Sequence, residues 1–457
     1  MNMAHRDRPV SGRLIGERHG GRRPTLVGLR LGLIVAVLGL AGCTSSTVSP
    51  STPPSAVPSA VPTASASMAA KPTVAPSVAP TATATFSLTP TPTPSPTPKP
   101  TRMPKSVQTG SMHVARTSAT ATLLQNGKVL IAGGSNGGAM AEDIYASAEL
   151  YDPTTGKFTK TGSMTAARTN QMATLLQNGR VLIAGGYGCS SPRTCSADVS
   201  TVSALASAEL YDPGTGKFSP IGSMTTPSAD GTATLLPDGR VLVAEGDTTG
   251  WADLYDPQSG KFTRAATELG FGFDHPSATL LPNGKVLVTG GDSYPPYSGA
   301  LYDENSGKFT KISLEPAPGT APAVQYKGQA VVRAWPGPVT VLKDGRVLLF
   351  EGGYLVTYDP LTGKCVGVGF ISPQGLWLLP KATLLPDGRV LFVGGEFESA
   401  DYTETFPTSA VVYNPSSGDQ AIVPLKGQWY RNTSTLLGNG NVLIAADGDT
   451  FSELFEP

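Results

Sequence analysis

The sequence predicts an all-β fold built from repeats, and three observations carry that prediction. The stretch Ala121 to Gly134, ATLLQNGKVLIAGG, reads as strand, tight turn and strand. Its turn recurs as Asn126-Gly127, Asn178-Gly179, Asp238-Gly239, Asn283-Gly284, Asp344-Gly345, Asp387-Gly388 and Asn439-Gly440. Tight hairpins need positive φ at their central residues, which Asn, Asp and Gly tolerate best. Second, a Tyr-Asp-Pro module with a following Gly-Lys-Phe trails the hairpins, as in Tyr151-Asp152-Pro153 and Gly156-Lys157-Phe158. Third, the turn glycines lie 43 to 61 residues apart, the mark of a repeat array.

The chain opens differently. Residues 1–42 read as a secretion signal: Arg6, Arg8, Arg13, Arg18, Arg22, Arg23 and Arg30 precede an apolar run, Leu31 to Leu40. That run is short for a membrane span, which needs roughly 20 residues. It ends in Leu40-Ala41-Gly42-Cys43, which resembles the bacterial lipoprotein signal-peptidase box. The resemblance implies cleavage before Cys43 and lipidation of that cysteine. Whole-chain charge is balanced at 34 basic and 34 acidic side chains. Removing residues 1–42, with seven Arg against Asp7 and Glu17, leaves 27 basic and 32 acidic, a net of −5. A mildly acidic mature chain argues against a nucleic-acid partner, which favours a basic face.

Residues 43–104 are the lipidated Cys and a Pro/Thr/Ser-rich linker. From Thr44 to Pro104 there is no acidic residue, and Phe86 is the one aromatic. Such a segment buries too little apolar surface to offset chain entropy, so it is expected to be disordered. Its prolines favour extended polyproline II at about 3.1 Å per residue, an upper reach on the order of 190 Å.

Residues 105–457 are the repeat domain. Each repeat reads as four short strands, here a and b for the hairpin and c and d for the Tyr-Asp-Pro module. The period, the Gly-Gly after strand b and the Tyr-Asp-Pro of strand c resemble the kelch repeat. The Gly pair stands as Gly133-Gly134, Gly185-Gly186, Gly290-Gly291 and Gly394-Gly395. It is replaced by Glu245-Gly246, Glu351-Gly352 and Ala446-Asp447 elsewhere. The resemblance implies a seven-bladed β-propeller, one four-stranded blade per repeat around a channel. The seventh repeat stops at Pro457, after strand c. Residues 105–112, KSVQTGSM, align with the d strand of the first repeat, so Ser106 to Thr109 is expected to close the ring beside the last c strand.

Propellers bind through loops at their faces. Three positions before the Ala of ATLL stand Ser118, Asn170, Asp230, His275, Pro336, Leu379 and Arg431, the expected guards of the channel mouth. Five positions before stand Arg116, Arg168, Ser228, Phe273, Ala334, Trp377 and Trp429. Arg116 and Arg168 either bind ligand or brace neighbouring blades. Trp377, Trp429 and Tyr430 either stack on a sugar or peptide or pack within their own loops. Cys189 and Cys195, five residues apart on a long loop of an exported chain, are expected to form a disulfide. Cys365 stands where other repeats have Phe and reads as a small buried hydrophobe.

The galactose oxidase branch of this family holds copper with two Tyr and two His. After signal removal this chain keeps only His113 and His275. No Ser/His/Asp spacing, phosphate loop or zinc pattern is present, so no catalytic residue, metal or cofactor is expected. The reading is a monomeric, lipid-anchored module at the outer face of the bacterial cytoplasmic membrane or the cell surface. It would bind a protein or a surface glycan, with Arg116, Arg168, Asp230, His275, Trp377, Trp429, Tyr430 and Arg431 as candidate contacts. The alternative is a carbohydrate-active enzyme of the galactose oxidase type.

Overall fold

A computed structural model describes residues 103–137, 143–189, 194–196, 202–246, 250–265, 275–290, 298–316, 325–326, 329–330, 336–351, 353–371, 376–398 and 404–457. The signal, Cys43 and nearly all of the linker lie outside these residues, as do Phe273 and Ala334. Among the described residues every regular element is a strand, and none is a helix long and apolar enough to cross a membrane.

Seven four-stranded antiparallel sheets are present among the described residues. In the first, strand a is Thr120–Leu123, b is Val129–Ala132, c is Ser147–Asp152 and d is Lys157–Ser163. The next five repeat this order, with a strands at Met172–Leu175, Thr232–Leu235, Ser277–Leu280, Pro336–Val341 and Lys381–Leu384. The seventh takes Thr433–Leu436, Val442–Ala445 and Glu453–Glu456 from the end of the chain. Its fourth strand is Lys105–Gln108, paired antiparallel with Lys105 opposite Glu456 and Gln108 opposite Glu453. Each a strand contacts the next in chain order, and the seventh contacts the first.

The hairpin turns differ from the expected form. Only the glycine takes positive φ, from 80° at Gly127 to 96° at Gly388. The preceding Asn or Asp uses its side chain instead: Asn126 Oδ1 accepts the Lys128 N–H at 3.1 Å and Asp238 Oδ1 that of Arg240 at 2.9 Å. Leu124 N–H also donates to Lys128 O. This is the three-residue loop with a left-handed glycine, not the two-residue turn.

Strand b shows why its apolar run does not alternate. Every residue of Val129–Ala132 is buried. Leu130 and Ala132 pack towards the second blade with Val181 and Ile183, while Val129 and Ile131 pack towards the seventh with Leu443 and Ala445. A strand buried on both faces has no need of polar positions. Strand c supplies the Tyr that bridges to the preceding d strand. Tyr151 Oη lies 2.8 Å from Thr109 Oγ1, and Tyr211 Oη 2.9 Å from Thr161 Oγ1. The buried hydroxyls of Tyr255 and Tyr302 have no such partner among the described residues. Tyr151→Phe is therefore expected to cost about 1 kcal/mol, and Tyr302→Phe nothing, or to stabilise, in urea unfolding of each variant. Cys365 is a buried thiol outside any disulfide, packed with Tyr358 in the place of the missing Phe.

Candidate functional site

The site begins with an unusual backbone conformation. Ser118, Asn170, Asp230, His275 and Leu379 all hold φ between 52° and 56°. Left-handed backbone is uncommon outside glycine and commonest for Asn, Asp and His. Each of these residues makes the turn that delivers the chain to strand a. Asn170 N–H donates to Ser118 O at 3.1 Å and Asp230 N–H to Asn170 O at 3.0 Å, so the turns are linked blade to blade. Pro336 cannot join the series, since its ring fixes φ negative.

These turns rim a cavity of about 530 Å³ lined by residues of all seven blades. Its ionisable lining is Asp230, His275, Lys381, Tyr430 and Arg431. Asp230 accepts a hydrogen bond from the Asn170 side-chain amide, and His275 Nε2 lies 3.7 Å from Asp230 Oδ1. Arg431 lies over the Tyr430 ring at 5.1 Å, with Nη2 3.4 Å from Tyr430 Oη. The backbone of this pair is fixed by Asp447, whose carboxylate accepts the N–H of Tyr430 at 2.8 Å and of Arg431 at 2.7 Å. Burial pushes the Asp447 carboxyl up to about 6, against the lowering effect of those two N–H bonds and of Arg431.

Lys381 opens strand a of the sixth blade. Its side chain is exposed and stands in the channel that the inner strands enclose. That enclosure lowers its pKa, as does the charge of Arg431; Asp230 acts in the opposite sense.

Four expected contacts are corrected. Arg116 and Arg168 are fully buried. Arg168 donates to Gly185 O at 2.8 Å, Ser207 O at 2.9 Å, Ser207 Oγ at 3.1 Å and Glu209 Oε1 at 3.0 Å. Arg116 repeats the pattern on Gly133, Ser147 and Glu149. Both tie the turn before strand a to strand c of their own blade, so they neither meet a ligand nor reach a neighbouring blade through these bonds. Trp377 is 0% exposed and packs on Phe350, Phe392 and Phe397. Its Nε1–H donates to Gly394 O at 2.8 Å, the carbonyl equivalent to Gly185 O. Trp429 is 2% exposed and donates to Glu453. Neither indole has a free face for stacking.

Two parts of the arrangement escaped sequence reading. Lys381 stands one position before the Ala of its repeat, where the others have Thr120, Met172, Thr232, Ser277, Pro338 and Thr433. The same register that gave the mouth residues, read two positions further on, marks it as the single cation. The carboxylates Glu149, Glu209, Asp253 and Glu453 of the c strands are buried and accept backbone N–H groups of the preceding d–a loop, as with His113 and Val114 on Glu149. An acidic residue inside an otherwise apolar strand was the available signal. Cys189 is disulfide-bonded, and the side chain of Cys195 lies outside the described residues. The backbone at Cys195 pairs with Ile144 of the first blade.

The galactose oxidase pattern needs two Tyr and two His around one metal. The lining brings one imidazole and one phenol together with the cations Lys381 and Arg431, while His113 Nδ1 sits 2.8 Å from Glu149 Oε2, away from the lining. These donors do not fit a copper centre.

The sheet topology and the ring of inner strands define a β-propeller. A kelch motif model matches residues 116–165, in the first blade of this β-propeller. It is similar in fold to a fungal alcohol oxidase of the AA5 family in complex with copper, at 15% identity and TM-score 0.56, covering 77% of this chain and 75% of that one. It is also similar to a catalytically inactive virginiamycin B lyase from Staphylococcus aureus with quinupristin, at 14% identity and TM-score 0.53, covering 78% and 100%. A streptogramin B lyase is similar at 11% identity and TM-score 0.51, covering 77% and 97%. No curated protein matches the chain in sequence.

Proposed function

We propose that this chain is a binding module, anchored through a lipid on Cys43 and held off the membrane by its Pro-rich linker, that captures a ligand at the channel mouth. The observation that carries the reading is the cavity of about 530 Å³ whose lining gathers Asp230, His275, Lys381, Tyr430 and Arg431 from four blades. Convergent polar groups in a cavity of this size are the usual form of a small-ligand site. Seven similar blades need no such residues for packing, since Thr, Ser, Met or Pro serves at the Lys381 position elsewhere. The ligand class is a surface glycan or an exposed segment of a protein.

Glycan-array binding by the purified protein, beside Lys381→Met and Arg431→Gln variants, checks the site. Capture by the parent protein and a loss of about tenfold or more in either variant is the expected result. Capture unchanged in both variants would place the binding face elsewhere.

The enzyme reading rests on one observation, the imidazole of His275 beside the Asp230 carboxylate at 3.7 Å. The lyase and oxidase neighbours share the fold at 15% identity or less, and fold alone does not transfer chemistry. Incubation with quinupristin separates the readings: the binding module leaves it intact.

A further inference from the structure

We infer that the ligand of the channel mouth carries an oxyanion, a carboxylate or phosphate on a hydroxylated small molecule, seated between Lys381 and Arg431. The inference rests on the binding reading above and adds the chemical class of the ligand.

Both cations line the same cavity. Among the described residues neither forms an ion pair, although exposed Lys and Arg side chains elsewhere in the blades do so, as Lys128 with Asp152 and Arg389 with Asp387. The single carboxylate of the lining among the described residues is already engaged: Asp230 takes the Asn170 amide and faces His275. Two cations that share one cavity disfavour each other's charge, an effect that Asp230 near Lys381 and Asp447 near Arg431 offset only through space, and the lysine's pKa is lowered first by desolvation and then by Arg431. A bound oxyanion supplies a direct counter-charge where water is scarce and charge-assisted hydrogen bonds are strongest.

The geometry also prepares Arg431 for this role. Its guanidinium rests on the Tyr430 ring, and its backbone is fixed on Asp447. A planar fork held in place loses little freedom when it takes up an oxyanion. Asp230 and His275 line the same cavity and can meet hydroxyl groups, one as acceptor and the other in either role. The cavity volume suits a ligand of one or two sugar rings.

Binding should be linked to protons. The charged groups that face Lys381 across the cavity are Arg431 and Asp230, with His275 and Tyr430 completing the ionisable lining. An oxyanion favours the ammonium form of Lys381, so its affinity falls as pH rises through the lysine's pKa and binding takes up protons near that pH.

Titration calorimetry on the purified full chain, with glucuronate, glucose 6-phosphate and glucose as probes in buffers of different ionisation heat, tests this. The expected result is binding of at least one of the two anionic probes with proton uptake, and binding of glucose weaker by about tenfold to a hundredfold. Glucuronate alone identifies a carboxylate ligand, and glucose 6-phosphate alone a phosphate. Lys381→Met should abolish the proton uptake while leaving the thermal midpoint unchanged, because its stem is kept. Glucose bound as tightly as the anions, or anion binding that survives Lys381→Met and Arg431→Gln, overturns the inference. Glucose binding that is lost in Asp230→Asn overturns the anion and leaves the binding module standing. Binding of none of the three probes overturns the anion inference, and the glycan array then decides the binding module by itself.

Discussion

Arg168→Ala is expected to destabilise the propeller by about 3–5 kcal/mol, more than any surface change in the chain. The guanidinium is fully buried and satisfies two backbone carbonyls, a hydroxyl and a carboxylate. Its removal orphans the carbonyl of Gly185 and leaves that of Ser207 with the Gly185 N–H alone. Glu209 keeps the N–H groups of Thr165 and Ala166 but loses Arg168, its one ion-pair partner among the described residues. A buried carboxylate in that position costs far more than the pair contributed, because desolvation is no longer offset. Arg168→Lys should recover part of the loss: it restores the charge but lacks the fork that reaches four acceptors at once. The sixth blade shows that the pair itself is not obligatory. There Trp377 donates to the equivalent carbonyl of Gly394, and the c-strand position of Glu209 is Val411. Arg168→Ala with Glu209→Val should therefore be less destabilised than the sum of the two single changes in urea unfolding. A strictly additive cycle would show that Glu209 does not depend on Arg168.

What the sequence made legible follows from what repeats. The hairpins, the Tyr-Asp-Pro strand and the pairing of Lys105–Gln108 with the last c strand recur as local patterns, so a comparison of copies was enough to expect them. The mouth turns were legible for the same reason, and Asp230, His275, Tyr430 and Arg431 do line the cavity. Side-chain direction was not legible. Trp377 and Arg431 both precede an a strand closely, yet one points into the core among Phe350, Phe392 and Phe397 while the other faces the channel. Residues two apart in register would share one face of an extended segment, but the left-handed turn before the strand, as at Leu379 after Trp377, breaks that alternation and re-aims the chain. Aromatic character drew attention to the indoles, and a lysine inside a Thr-rich strand drew none.

Asp447→Asn is expected to flatten the pH dependence of stability between about pH 4 and 6. The carboxyl sits where the other six repeats have glycine, and burial raises it to about 6. An unfolded Asp titrates near 4. Below that pH both states hold the proton, and the folded state has its full advantage. As pH rises through 4 the unfolded chain releases the proton while the folded chain retains it, so stability falls until pH passes about 6. Two pKa units correspond to a loss on the order of 3 kcal/mol across this window. The parent protein should therefore lose stability relative to Asp447→Asn over that range, with a constant difference above it. Guanidinium unfolding of both proteins at half-unit pH steps measures this, and a difference that stays constant from pH 4 to 6 would show that the carboxyl titrates normally. The site adds a second readout. Asp447 fixes the backbone of Tyr430 and Arg431 through two N–H bonds, and an amide oxygen can replace only part of that grip. Asp447→Asn should thus loosen the Arg431 side of the mouth, and capture of any ligand held there should weaken at pH 7, where the parent carboxylate is ionised and grips both N–H groups. Stability gained and binding lost in one variant would show that the chain keeps a buried carboxylate for the sake of the mouth, at a cost to the fold.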